Sequence, residues 1–143
     1  MVVLRDAREK DFPAVFPLIQ KLWDYNTYTE VPTKEVFCQV LAEENTFFVV
    51  LEVDGEIRGF CHGDYFPTFW MCGLTCYVSS LIVEKEDRGR GYGHLLLDEA
   101  KARALKKGCK AVILDSGMPR IEAHRFYENY GFEKSCYGFE LVL

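Results

Sequence analysis

The sequence predicts an α+β fold built on a mixed, mostly antiparallel sheet, and three observations predict it. Thr46–Val53 is an apolar run, residues 56–64 alternate, and Asp54-Gly55 joins them as a hairpin turn. Ala111–Leu114 is short and wholly apolar and follows a helical stretch, as a buried parallel strand does. Between these, the apolar run Leu81-Ile82-Val83 passes through a charged turn into Arg88-Gly89-Arg90-Gly91-Tyr92-Gly93 and directly on into a helical segment.

Taken in order, residues 2–4 form a short first strand. From Asp11, a plausible N-cap, apolar residues at 12, 15, 16, 19, 22 and 23 make a helical stripe. Pro13 suits its first turn, whereas Pro17 predicts a kink or a later start. Residues 24–32 read as a polar, tyrosine-rich loop, and Thr33 as the cap of a second helix bearing Val36, Phe37, Val40 and Leu41. After the hairpin, residues 65–74 read as a loop rich in large aromatics, and residues 75–83 as a strand. The next helix, 91–107, places Gly93, Leu97, Ala100 and Ala104 on one stripe and should end at Gly108. A final helix over 119–130 has Pro119 in its first turn and Gly131 just past its end, and a last strand is expected over 137–143. The only parallel crossover in this order runs through the 91–107 helix. No repeat or linker interrupts the chain, so one domain over 1–143 is expected.

Composition bounds the function. With 49% hydrophobic and 27% charged residues, the 143-residue chain is a globular domain large enough for a real core. A net charge of −5 argues against a generic nucleic-acid binder. There is no apolar run of the ~20 residues a membrane span needs, and the N-terminal stretch lacks a signal-peptide pattern, so a cytoplasmic protein is expected. The six cysteines show no C-x-x-C pair; they are expected to be reduced, small hydrophobes, with no metal site.

The glycine-rich turn carries chemistry. Three glycines in five positions leave backbone N–H groups uncovered where the loop enters a helix, and those donors converge with the positive end of the helix dipole. That arrangement binds phosphate, and Arg88 and Arg90 add charge. No Lys-Ser or Lys-Thr follows, which excludes a P-loop, and position 94 is His rather than the third glycine of a dinucleotide fingerprint.

What remains, R-x-x-G-x-G over residues 88–93, resembles the pyrophosphate-binding motif of the GNAT superfamily of acyl-CoA-dependent N-acyltransferases. Residues 123–132, AHRFYENYGF, are similar to the A-x-x-F-Y-x-x-x-G-F segment of that family. With the N-terminal helix pair and the Asp-Gly hairpin in the matching order, the resemblance covers essentially the whole chain. It is particularly similar to small-amine members, including aminoalkylphosphonate N-acetyltransferases. The resemblance implies a sheet of six to seven strands with a splayed parallel pair formed by its fourth and fifth strands, and about four helices. It also implies acetyl-CoA as acyl donor, with pantetheine on the backbone of Leu81, Ile82 and Val83 and pyrophosphate on Arg88, Gly89, Arg90, Gly91, Tyr92, Gly93 and His94. Tyr127 would protonate the departing thiolate, and a strand N–H would stabilise the oxyanion.

Two positions depart from the family pattern. Arg120 stands where many relatives have Asn, and the strand over 75–83 offers Tyr77, Ser79 and Ser80 but no acid to serve as base. Asp64 and Glu30 are candidate bases by location. The acceptor pocket is expected from Trp23, Tyr25, Tyr28 and Glu30 on one side and Tyr65 to Trp70 on the other. His62 and His94 carry no motif of their own, and His124 reads as a partly exposed helix residue. The resemblance thus implies an N-acetyltransferase acting on a small primary amine, with a homodimer allowed and neither nucleic acid nor membrane as partner. A protein N-terminal or lysine acetyltransferase and a non-catalytic acyl-CoA-binding domain stand as alternatives.

Overall fold

In the computed structural model, which describes residues 1–143, the chain runs β1 (Val2–Asp6), α1 (Phe12–Leu22), α2 (Glu30–Ala42), β2 (Thr46–Val53), β3 (Glu56–Thr68), β4 (Gly73–Val83), α3 (Tyr92–Lys107), β5 (Ala111–Leu114) and α4 (Ile121–Tyr130). Short 3-10 turns precede α1 and α3. Two compact units result, Met1–Ile113 and Leu114–Leu143. The sheet order is β1-β2-β3-β4-β5, with β1 to β4 antiparallel and β5 parallel to β4 through the α3 crossover.

The hairpin forms as expected: Asp54 and Gly55 both take positive φ, 51° and 85°, and Val53 pairs with Glu56. Alternation along the strands then sorts side chains onto two faces. On one face Phe48, Val50, Phe60 and Ile82 pack with Phe12, Val15 and Leu18 of α1 and Phe37 of α2. On the other, α3 buries Leu96, Leu97, Ala100 and Ala104. Arg103 of α3 lies over the Phe47 ring and Lys107 over that of Tyr65. The two cationic stems cover apolar surface while their charges reach water.

Several expectations are corrected. Asp11 stands at the N-cap position of α1, as expected, but its side chain makes no capping hydrogen bond, because the carboxylate is taken by Arg5, at 2.8 and 2.9 Å, and by the Arg8 N–H at 2.7 Å. Pro17 sits inside an uninterrupted α1. The second helix starts at Glu30 rather than after Thr33, whose hydroxyl instead donates back to the Thr29 carbonyl. Residues 65–74 are mostly not a loop: β3 continues to Thr68, β4 begins at Gly73, and the buried Thr68 and Thr75 hydroxyls bond across the pair at 2.7 Å. The aromatic stretch reads as loop because it lacks clean alternation, but the ladder runs through it.

The sheet has five strands, not six or seven. The expected strand over 137–143 is absent, and Tyr137, Phe139, Leu141, Val142 and Leu143 are exposed. Its alternating pattern is real, but a strand exists only where a ladder forms, and no strand pairs with this segment. Of the cysteines, Cys61 and Cys76 are fully buried, as expected of small hydrophobes, while Cys72 and Cys136 are exposed. No helix is long and apolar enough to cross a membrane.

Candidate active site

The turn between β4 and α3 is held from below and open above. Arg58 of β3 donates from Nε to Asp87 at 2.6 Å, and Asp87 is buried, which pins the segment leaving β4. Gly89 and Gly91 then take φ of +81° and +85°, a conformation that costs any other L-residue. Gly91 is the N-cap of α3, and the amides of that helix's first turn have no partner four residues back. No atom lies within 4 Å of where a Cβ would stand on either glycine. This bare, positively biased backbone fits a pyrophosphate. The two arginines divide their roles: Arg88 donates from Nε to the Val83 carbonyl at 3.2 Å, whereas Arg90 is mostly exposed, 3.6 Å from Asp87.

β4 leads from this turn with one edge open. It has eleven residues against four in β5, and the Lys110 N–H bonds the Leu74 carbonyl at the far end from Val83. The Glu84 N–H bonds the Arg58 carbonyl, so by alternation Ile82 also turns its main-chain groups toward β3. Leu81 and Val83 turn theirs to the other side, past the end of β5. A pantetheine amide would therefore meet Leu81 and Val83, with Ile82 engaged in the ladder.

On the α1/α2 side of β3 and β4 lies a cavity of about 620 Å³. Trp23 and Tyr28, rings 6.4 Å apart, stand on one wall, with Phe37, Phe48 and Phe60 beneath. His62, Ser79 and Ser80 supply polar groups from the sheet, and no lining residue is Asp, Glu, Lys or Arg.

Ser79 and Ser80 are consecutive, yet both line the cavity. The cause is a β-bulge: His62 pairs with Ser80 and Gly63 with Val78, leaving Ser79 as the extra residue. The bulge places Ser79 Oγ 2.8 Å from His62 Nδ1. His62 stacks on Phe48, and its Nε2 is buried without a hydrogen-bond partner, 3.8 Å from Asp64 Oδ1. Burial pushes the imidazole below its ordinary pKa, opposed by the Asp64 charge.

Sequence-predicted pocket residues divide. Trp23 and Tyr28 line the cavity, whereas Asp64 does not and lies 3.8 Å from His62 Nε2. Tyr77 lies opposite Asp64 in the β3–β4 register. Tyr25 is exposed in the loop, and Glu30 is exposed at the start of α2. Trp70 projects from the β3–β4 turn, 67% exposed. Tyr65 is on the α3 face, buried against Phe47, where burial pushes its phenol up to about 12. Neither Tyr65 nor Trp70 lines the cavity, because the strands continue through the segment expected to fold over it.

Sequence reasoning passed over His62. Its signal was present, since Phe60, His62 and Asp64 share one strand face by alternation. In the C-terminal unit, Tyr127 is buried on α4, its ring 5.4 Å from Phe126 and 5.8 Å from Phe132. Gly131, at φ +126°, closes the helix with its N–H bonded to the Tyr127 carbonyl.

Comparison with known proteins bears on the family and the fold. The model of the acetyltransferase (GNAT) family matches residues 4–132. The uncharacterised N-acetyltransferase YhdJ of Bacillus subtilis is 41% identical over 68 residues, about half of each chain (47% of this one, 48% of that one). The aminoalkylphosphonate N-acetyltransferase of Salmonella typhimurium is 26% identical over 98% of this chain and 90% of its own. A solved structure of a transcriptional regulator from Bacillus halodurans superimposes over 100% of both chains with TM-score 0.92 at 24% identity, which shows the shared fold. With the family model matched over residues 4–132 and a glycine-rich turn leading from the fourth strand into the third helix, this chain belongs to the GNAT family of acyl-CoA-dependent N-acetyltransferases.

Proposed function

We propose that the protein transfers an acetyl group from acetyl-CoA to a primary amine of a small molecule, by direct attack in a ternary complex. One observation carries this: the glycine-rich turn, the open edge of β4 and the aromatic-lined cavity follow one another along a single strand. The bare backbone of residues 88–94 would hold the pyrophosphate, and Leu81 and Val83 the pantetheine. The amine nitrogen, seated in the cavity, would attack the thioester carbonyl, with a β4 N–H receiving the oxyanion. Tyr127 would give its proton to the departing thiolate as general acid.

A small acceptor is favoured over a peptide by the cavity's size, about 620 Å³, and by the aromatic side chains of Trp23 and Tyr28 that line it. The Salmonella relative acts on an aminoalkylphosphonate, but this cavity offers no cation to a phosphonate, so that acceptor is not carried over. The family match spans both compact units, and we take them to act as one domain. We further propose a homodimer that buries the exposed apolar C-terminal residues, and a cytoplasmic site of action, where the six thiols stay reduced. Thiol release from acetyl-CoA across an amine panel tests the activity. Tight acetyl-CoA binding with no turnover of any amine would instead indicate a non-catalytic acyl-CoA-binding domain.

A further inference from the structure

The cavity is chemically narrower than an acetyltransferase reading alone requires. None of its lining residues carries a charge, and most are aromatic or aliphatic. A phosphate, a carboxylate or a second ammonium placed there would be desolvated without a counter-charge, which strongly disfavours it. The reacting amine presents a different problem. Near pH 7 a primary alkylamine is an ammonium with no lone pair, so one proton must leave before the C–N bond forms. Two titratable groups line the cavity, Tyr28 and His62. A phenol is already protonated at that pH, which leaves His62.

We propose that the acceptor is a primary amine with an apolar body, an alkyl- or arylalkylamine bearing no anionic group, and that its ammonium proton passes through the Ser79 hydroxyl to His62 Nδ1. Ser79 Oγ is 2.8 Å from that nitrogen and 3.3 Å from the His62 carbonyl, and Ser79 and His62 both line the cavity, so the hydroxyl is in reach of an amine seated there and of the ring. On protonation the ring's Nε2–H faces Asp64, 3.8 Å away, whose carboxylate stabilises the imidazolium. That assigns a use to a buried nitrogen otherwise without a partner. Burial keeps the resting ring neutral and able to accept a proton. Phe48 covers one ring face, and the residues of α1 and α2 that line the cavity are not titratable. The step balances: the ammonium gives one proton to His62, the freed lone pair forms the N–C bond, and the C–S bond breaks. The nitrogen's second proton offsets the one taken by the thiolate. Each turnover therefore releases one proton, which His62 returns to water.

This rests on the acetyltransferase reading, and the test separates the two. Thiol release is measured with acetyl-CoA and 2-phenylethylamine, hexylamine, aminomethylphosphonate or kanamycin. The apolar amines should exceed the charged ones in kcat/KM by roughly 10²-fold or more. Equal or faster turnover of the phosphonate or the aminoglycoside overturns the acceptor class while leaving the acetyltransferase reading intact. No thiol release from any amine overturns that reading itself. His62→Gln and Ser79→Ala should each lower kcat/KM for 2-phenylethylamine at pH 7 by ~10²–10⁴-fold, with acetyl-CoA affinity unchanged. The deficit should shrink as pH rises toward 10, because the free amine needs no proton acceptor. pH profiles that run parallel to wild type overturn the relay. Should His62→Gln fail to fold, Ser79→Ala, a small change at a half-buried position, carries the same profile test.

Discussion

Gly91 and Gly108 stand at the two ends of α3 with the same φ of +85°, and neither has an atom within 4 Å of the place a Cβ would take. They are sterically equivalent within the protein, yet only Gly91 belongs to the turn assigned to pyrophosphate. Replacing either by Ala should cost a similar ~1–2 kcal/mol of left-handed backbone strain. Acetyl-CoA affinity should fall at least tenfold in Gly91→Ala and stay near wild type in Gly108→Ala. Calorimetry showing equal affinities would remove the turn from the cofactor site.

Tyr127→Phe retains the ring packed between Phe126 and Phe132 and removes only the hydroxyl. As general acid its loss should lower kcat by ~10²–10⁴-fold with acetyl-CoA affinity unchanged. Tyr130→Phe, on the same helix, should remain active. Wild-type turnover in Tyr127→Phe, measured with chemistry rate-limiting, would exclude the phenol from the mechanism.

Trp23→Ala should raise the amine KM several-fold with little effect on that of acetyl-CoA, since Trp23 lines the cavity. Trp70→Ala should leave both unchanged, because Trp70 is exposed on the β3–β4 turn. A larger amine effect from Trp70 than from Trp23 would move the acceptor site to that turn.

Arg5 holds Asp11 well below the usual carboxylate range through two hydrogen bonds, assisted by the Arg8 N–H. A carboxyl whose folded pKa is depressed stabilises the fold fully above its unfolded pKa of ~3.9, and that contribution is lost as pH falls through the lower folded value. Asp11→Asn should cost about 2 kcal/mol at pH 7, and its melting curve should converge on wild type as pH falls below the depressed folded value. A gap that persists in acid would assign the loss to packing.

Local signals were legible where one residue decides the backbone. Asp54-Gly55 marked the hairpin, Gly108 and Gly131 the helix ends, and Gly89 with Gly91 the turn. Features created by pairing were not legible. Ser79 is an ordinary strand serine, and only the register slip between His62 and Gly63 turns it into the cavity beside Ser80. Residues 137–143 have the alternation of a strand, but alternation does not supply an edge to pair with. Asp11 had the position of a cap, and a guanidinium 6 residues earlier in the chain took its carboxylate.

The half-open edge of β4 makes alternate residues of one strand report different events. With Ile82 in the β3 ladder and Leu81 and Val83 facing the other way, the Ile82 amide should exchange with deuterium only when the sheet opens, whether or not acetyl-CoA is present. The Leu81 and Val83 amides lack that protection and should exchange faster in the free protein. Acetyl-CoA should slow them without moving Ile82. Three adjacent amides thus carry an internal standard for occupancy, so donor binding can be followed at single-residue resolution without any label on the protein.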